Sequence, residues 1–207
     1  MNNEASHFIF PAKVAMNQSH TMHPGMALGG VALALFGAMW LAGASGAYLG
    51  GWPALAGVAA GALAIAAWAL ATFRARRRAY GGAPDDGAGT RLRKGFMLIN
   101  AVQWSLIGLA IPLLNAVGHG DWIRPVVIFV VGVHFVPLAR MLDYRGYYWT
   151  TLGLVLVAGC DVMLKGGHAG LALAATGVVL WASAVGLLCA MQWQAARDTA
   201  AAPQQAA

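Results

Sequence analysis

The stretch that decides the fold is Trp52–Arg78, WPALAGVAAGALAIAAWALATFRARRR. From Trp52 to Phe73 it carries no charge, and then Arg74, Arg76, Arg77 and Arg78 follow within five positions. A helix that crosses a bilayer needs about 20 mainly apolar residues, and this run supplies them. The apolar positions are continuous rather than alternating, which excludes a barrel strand. An open sheet edge cannot face lipid, so the run reads as a helix. The arginines at its end mark a cytoplasmic boundary, because positively charged loops resist translocation.

Five further runs of the same kind lie around it. They cover residues 26–49, 95–117, 122–142, 147–164 and 169–191, the fifth of the six being the shortest. The expected fold is an all-α polytopic transmembrane helical bundle of six spans in one domain. Residues 1–25 form an N-terminal tail, 26–193 the transmembrane domain with a basic loop at 74–94, and 194–207 a C-terminal tail. Of the 207 residues 59% are hydrophobic and 10% charged. A soluble domain carries about 25% charged residues, so lipid is the expected solvent for much of this surface.

The charges test the helix count. Six spans place the N-terminal tail, the 74–94 loop, the 140–145 connection and the C-terminal tail on one side, with 1, 7, 2 and 1 Lys or Arg. The other side receives only Arg124 and Lys165. A wrong count would scramble this asymmetry, so both termini are expected in the cytoplasm of a bacterial inner membrane. The net charge of +6 is thereby a record of topology, and no nucleic-acid partner is implied. The cluster Arg74, Arg76, Arg77, Arg78, Arg91, Arg93 and Lys94 also suits anionic lipid headgroups, each residue near such a surface contributing on the order of 1 kcal/mol. Aromatic residues fall at the expected interfaces: Tyr48, Trp52 and Trp122 on the outer side, and Tyr80, Tyr144, Tyr147, Tyr148, Trp149 and Trp193 on the inner. Trp40, Trp68, Trp104 and Trp181 fall inside spans, where lipid contact or helix packing is the account.

Small residues announce close packing. Gly57 and Gly61 make a GxxxG pair, and Gly29, Gly30, Gly37 and Gly43 punctuate the first span. Ala42-Gly43-Ala44 has the small-residue character of a signal-peptide cleavage site, but the region before it holds only Lys13 and cleavage would leave five spans. Cys160 and Cys189 fall near opposite faces of the membrane, too far apart for a bridge.

Ionisable and amide side chains within a bilayer are costly and often functional. His134 lies well inside the fourth span, Asn100 and Gln103 share a face of the third, and Asp161 stands near the outer end of the fifth. His134 suits a ligand contact, a proton relay or a metal ligand; the plain alternative is a neutral histidine hydrogen-bonded within the bundle. Pro137 has no N–H and leaves the Val133 carbonyl without its helical donor. Asn100 or Gln103 is expected to supply one, or to bond the His134 ring, because Gln103 and His134 both lie about 12 Å inside the membrane on neighbouring antiparallel helices. His7, His20 and His23 are scattered in the N-terminal tail. His119, Asp121, Asp161, Lys165 and His168 gather near the outer face. The first group lacks the spacing of a metal site; the second has two histidines and two carboxylates that suit a divalent metal, against the plain reading of solvated loop residues from two different loops. No catalytic motif or cofactor fingerprint is present, and no cofactor is expected.

The stretch Val133-His134-Phe135-Val136-Pro137-Leu138-Ala139-Arg140, with Tyr147-Tyr148 after it, resembles a signature of small bacterial multi-pass membrane proteins of uncharacterised activity. In that group an HF-x-P-LA motif ends one span and a tyrosine pair opens the next. The resemblance implies a similar bundle, no known activity, and His134, Pro137 and Tyr148 as core or site residues. Three functional classes stay open: a small-solute transporter-like or channel-like bundle, an accessory or assembly protein that meets a membrane partner or a second copy through its packing surfaces, and a membrane enzyme acting on lipid or quinone.

Overall fold

The computed structural model describes residues 22–48, 51–79, 88–165 and 167–201. Six helices appear among them: α1 (Met26–Tyr48), α2 (Trp52–Ala79), α3 (Ala88–Ala116), α4 (Ile123–Met141), α5 (Gly146–Met163) and α6 (Ala169–Ala201). A single 3-10 turn, Gly120–Trp122, precedes α4. No strand occurs among the described residues. Five helical stretches are long and apolar enough to cross a membrane: Met26–Ser45, Trp52–Arg78, Leu92–Ala116, Gly120–Met141 and Ala169–Ala200. The 18-residue α5 is not among them. Tyr147, Tyr148, Trp149, Thr150 and Thr151 at its start and Asp161 near its end dilute its apolar content.

The helices outrun the apolar segments that predict them. The 74–94 segment was expected as a loop, yet Arg74, Arg76, Arg77 and Arg78 occupy the last turns of α2, and Arg91, Arg93 and Lys94 the first turns of α3. Likewise α6 continues to Ala201, past the expected start of the tail. Alanine, arginine and glutamine are strong helix formers, and helical propensity persists after hydrophobicity stops. The glycine-rich stretch at 81–87, Tyr80, His7 and His20 lie outside the described residues.

The bundle has two groups joined along one seam. α1 packs on α2 and α6; α4 packs on α5 and α3; α5 meets α6 between them. Buried leucines of the seam helices form the centre, with Leu154, Leu180, Leu187 and Leu188 all under 2% exposed. α1 and α6 run antiparallel. The Met22 N–H donates to Gln194 at one end (3.2 Å), and a Cβ on Gly43 would meet Leu173 toward the other. Between these points the two backbones come close enough that a Cβ on Gly177 would stand 2.7 Å from the Gly37 carbonyl oxygen. Only glycine fits there.

Trp181 locks this group. Its indole N–H donates to the Ala34 carbonyl (2.9 Å), and its ring lies over Gly37 and Gly61. The expected GxxxG pair therefore divides: Gly61 receives an aromatic ring, while nothing stands within 4 Å of a Cβ on Gly57. The Ala42-Gly43-Ala44 run is part of the α1 packing face, with Ala44 fully buried. Trp40 and Trp68 pack against the core. Trp104 is half exposed, its ring 6.1 Å from that of Phe36 across the α1–α3 interface. Three buried hydroxyls are satisfied within the bundle: Ser45 donates to Leu41, Thr176 to Ala172, and Thr150 pairs with Ser183 at 2.6 Å. Such pairing is favoured where water does not compete.

Candidate functional site

The candidate site is built where α3 leans on the bundle. α3 packs principally on α4, so its inner face is incompletely covered. A cavity of about 70 Å³ lies there, lined by α1, α3, α4, α5 and α6. Apolar side chains make most of the wall, among them Leu33, Phe36, Phe96, Phe135 and Leu138. Four polar side chains break it: Asn100, Gln103, His134 and Tyr147. No Lys, Arg, Asp or Glu lines it.

Each polar group arrives by a simple helical rule. Asn100 and Gln103 are three residues apart on α3 and share a face. Asn100 spends its amide on its own helix, donating to the Phe96 carbonyl at 2.8 Å. Gln103 is 6% exposed and makes no hydrogen bond to any described residue. On α4, His134 Nδ1 lies 3.3 Å from the Val131 carbonyl oxygen of its own helix. Only an N–H is attracted to a carbonyl, which places the proton on Nδ1 and leaves Nε2 as a free acceptor. Tyr147 opens α5 and is 3% exposed. Its ring packs on Phe135 (5.3 Å) and Tyr144 (5.0 Å). Its hydroxyl comes within 3.4 Å of where a Cβ on Gly29 would stand, and it too makes no hydrogen bond to a described residue.

The expected junction between α3 and α4 is thus half present. Asn100, Gln103 and His134 share one cavity wall, as their depths require. The direct bonds do not form: neither amide reaches the His134 ring or the Val133 carbonyl among the described residues. Asn100 and His134 satisfy themselves on their own helices, the cheapest partner a polar side chain has in lipid. Pro137 is exposed and lies in a second depression, a groove of about 400 Å³ on the lipid side of α3 and α4. Gln103 and His134 line this groove as well as the cavity.

The resemblance pointed to the wrong member of the tyrosine pair for a buried role. Tyr148 is 43% exposed, whereas Tyr147 is buried. The reason is helical phase. Tyr147, Thr150, Leu154, Ala158 and Asp161 form the buried face of α5, and Tyr148 is turned about 100° away. That spacing of one aromatic with small and polar residues was the available signal.

Asp161 belongs elsewhere. Its carboxylate accepts two hydrogen bonds from Arg124 at 2.8 Å each, and its side chain is 2% exposed. A bidentate pair of this kind fastens the start of α4 to the end of α5. Arg124 drew attention in the sequence only as a charge on the outer side. His119, Asp121, Lys165 and His168 are exposed around it, and no group of three or more metal-ligating side chains occurs among the described residues.

The basic residues divide. Arg74, Arg77, Arg78, Arg93 and Lys94 are exposed at one end of the bundle. The side chain of Arg91 lies outside those described. Arg76 is buried and donates to the Met191 carbonyl of α6, so it ties two helices together and does not face headgroups. Cys160 and Cys189 are both free, Cys160 in the last turn of α5 and Cys189 past the middle of α6.

No protein-family model, curated protein or solved structure matches this chain.

Proposed function

We propose that this is a six-span protein of a bacterial inner membrane, of the small multi-pass group with the HF-x-P-LA motif, and that its cavity binds a small uncharged ligand in a transporter-like manner. The sixth span is α5. Its 18 residues reach about 27 Å at 1.5 Å per residue, close to the thickness of the hydrocarbon core. It lies antiparallel to α4, with Asp161 opposite Arg124, Leu154 opposite Gly132 and Tyr147 against Phe135. A helix of this length paired with a spanning helix is placed to cross the same slab. The ion pair at its outer end offsets the one carboxylate that lowers its apolar content. The exposed arginines of α2 and α3 gather at the opposite end, which supports a cytoplasmic placement of that end and of both termini. Reporter fusions at Gly87 and Ala207 are expected to read as cytoplasmic and one at Gly120 as external; an external reading at Gly87 overturns the topology.

The ligand reading rests on one observation: the Gln103 amide opens onto both the cavity and the groove and makes no hydrogen bond to a described residue. A polar amide on an otherwise apolar wall in lipid costs free energy unless something hydrogen-bonds it. Replacing Gln103 with leucine removes that cost. The ligand-free Gln103→Leu protein is therefore expected to be about 1 kcal/mol more stable than the parent toward unfolding in mixed micelles. A loss of 1 kcal/mol or more would mean that the amide holds the bundle together, and would overturn the reading. The enzyme alternative finds less support, since no carboxylate lines the cavity to pair with His134.

A further inference from the structure

We infer that the occupant of this cavity is a neutral lipid with a hydroxyl head, such as a long-chain alcohol or a monoacylglycerol, which enters sideways from the bilayer between α3 and α4. The inference rests on the ligand reading above and adds the ligand's chemistry and its route. Four observations carry it.

The first is the double exposure of Gln103 and His134, which line both the inner cavity and the lipid-side groove. A molecule whose tail lies in the groove meets these two side chains at its head. The second is the character of the groove. Leu98, Val102, Leu106, Phe129 and Val133 line it, each at least 41% exposed, and its volume of about 400 Å³ falls within the 300–1,000 Å³ range of small-molecule sites. The third is charge. With no Lys or Arg lining either space, a phosphate or carboxylate head would be desolvated without compensation. The fourth is size. The cavity of about 70 Å³ is half the roughly 150 Å³ that accommodates one benzene ring, so a quinone ring does not fit and a hydroxyl on a short stem does.

The hydrogen-bond inventory selects the hydroxyl further. His134 Nε2 accepts and cannot donate. The Gln103 amide and the Tyr147 hydroxyl each donate and accept. A ligand O–H donates to His134 Nε2 while its oxygen accepts from Gln103 or Tyr147. A ketone or ester carbonyl would satisfy the donors and leave the histidine unpaired.

The test uses the full-length chain in phosphatidylethanolamine and phosphatidylglycerol vesicles with a photoactivatable diazirine analogue of monooleoylglycerol. Crosslinks are expected on α3 and α4 around Val102 and Val133. Unlabelled monooleoylglycerol or oleyl alcohol is expected to suppress them, and the one effective at lower concentration identifies the source of the hydroxyl. Oleate, phosphatidic acid and a short-chain quinone are expected to compete at least tenfold more weakly. Gln103→Leu is expected to lower labelling at least tenfold. Val133→Trp, a change on the lipid face that fills the groove without touching the core, is expected to do the same. Labelling spread evenly around the bundle, or unchanged in either variant, overturns the inference, as does equal competition by the anionic lipids or the quinone. If Gln103→Leu stabilises the protein but no hydroxyl lipid labels it, the lipid assignment fails while the ligand reading stands.

Discussion

The two ends of the α4–α5 hairpin solve the same problem in opposite ways. At the outer end a charged pair, Arg124 and Asp161, closes on itself with two hydrogen bonds of 2.8 Å. At the inner end His134 and Tyr147 stand with Gln103 around a space, and the Gln103 amide and Tyr147 hydroxyl open onto it without a hydrogen bond to a described residue. Charge alone would rank the outer end as the functional one, because ions in a membrane are expensive. Satisfaction of hydrogen bonds ranks them the other way. A polar group that has found its partner is structural; one held open in the apolar interior is available to something else. In a bundle where several serines and threonines turn back on their own helices, an amide that instead opens onto a cavity marks the candidate site.

The comparison breaks first at the outer end, where the largest effect is expected. Arg124→Leu leaves the Asp161 carboxylate, whose side chain is 2% exposed, buried and unpaired, at a cost of about 3–5 kcal/mol. Asp161→Asn is milder, about 1–2 kcal/mol. It leaves an arginine whose side chain is 25% exposed and long enough to reach the outer surface. Unfolding of both variants in mixed micelles measures the asymmetry; equal costs, or costs below about 0.5 kcal/mol, would mean the pair does not fasten the hairpin. At the inner end the signs change, since Gln103→Leu is expected to stabilise. Tyr147→Phe is the finest probe. It keeps the ring contacts with Phe135 and Tyr144 and removes only the hydroxyl, so the stability of the ligand-free protein should move by less than about 0.5 kcal/mol. A loss of about 1–1.5 kcal/mol, the worth of a made hydrogen bond, would show that the hydroxyl is structurally engaged and would erase the contrast between the two ends.

The sequence by itself determined the helices. A run of apolar residues of the right length has one way to satisfy its backbone in lipid, and that local rule needs no knowledge of neighbours. It determined the boundaries to within a few residues where hydrophobicity and helical propensity end together, as at Met26 and Ala169. It missed them where alanine and arginine carry a helix onward, as at Arg76 and Arg197. It placed Gln103 and His134 at one depth, with Asn100 on the same face of the third helix, because depth follows from counting residues along each helix. Only the tertiary structure decided what those residues do there. Whether His134 bonds an amide across the interface or the carbonyl of Val131 depends on side-chain direction. Whether Tyr147 or Tyr148 meets the cavity depends on helix rotation. That Asp161 finds Arg124, and Gly61 finds Trp181 while Gly57 finds nothing, depends on which helices are neighbours. Rotation and neighbourhood are set by packing between segments far apart in the chain, and one segment's periodicity carries no record of them.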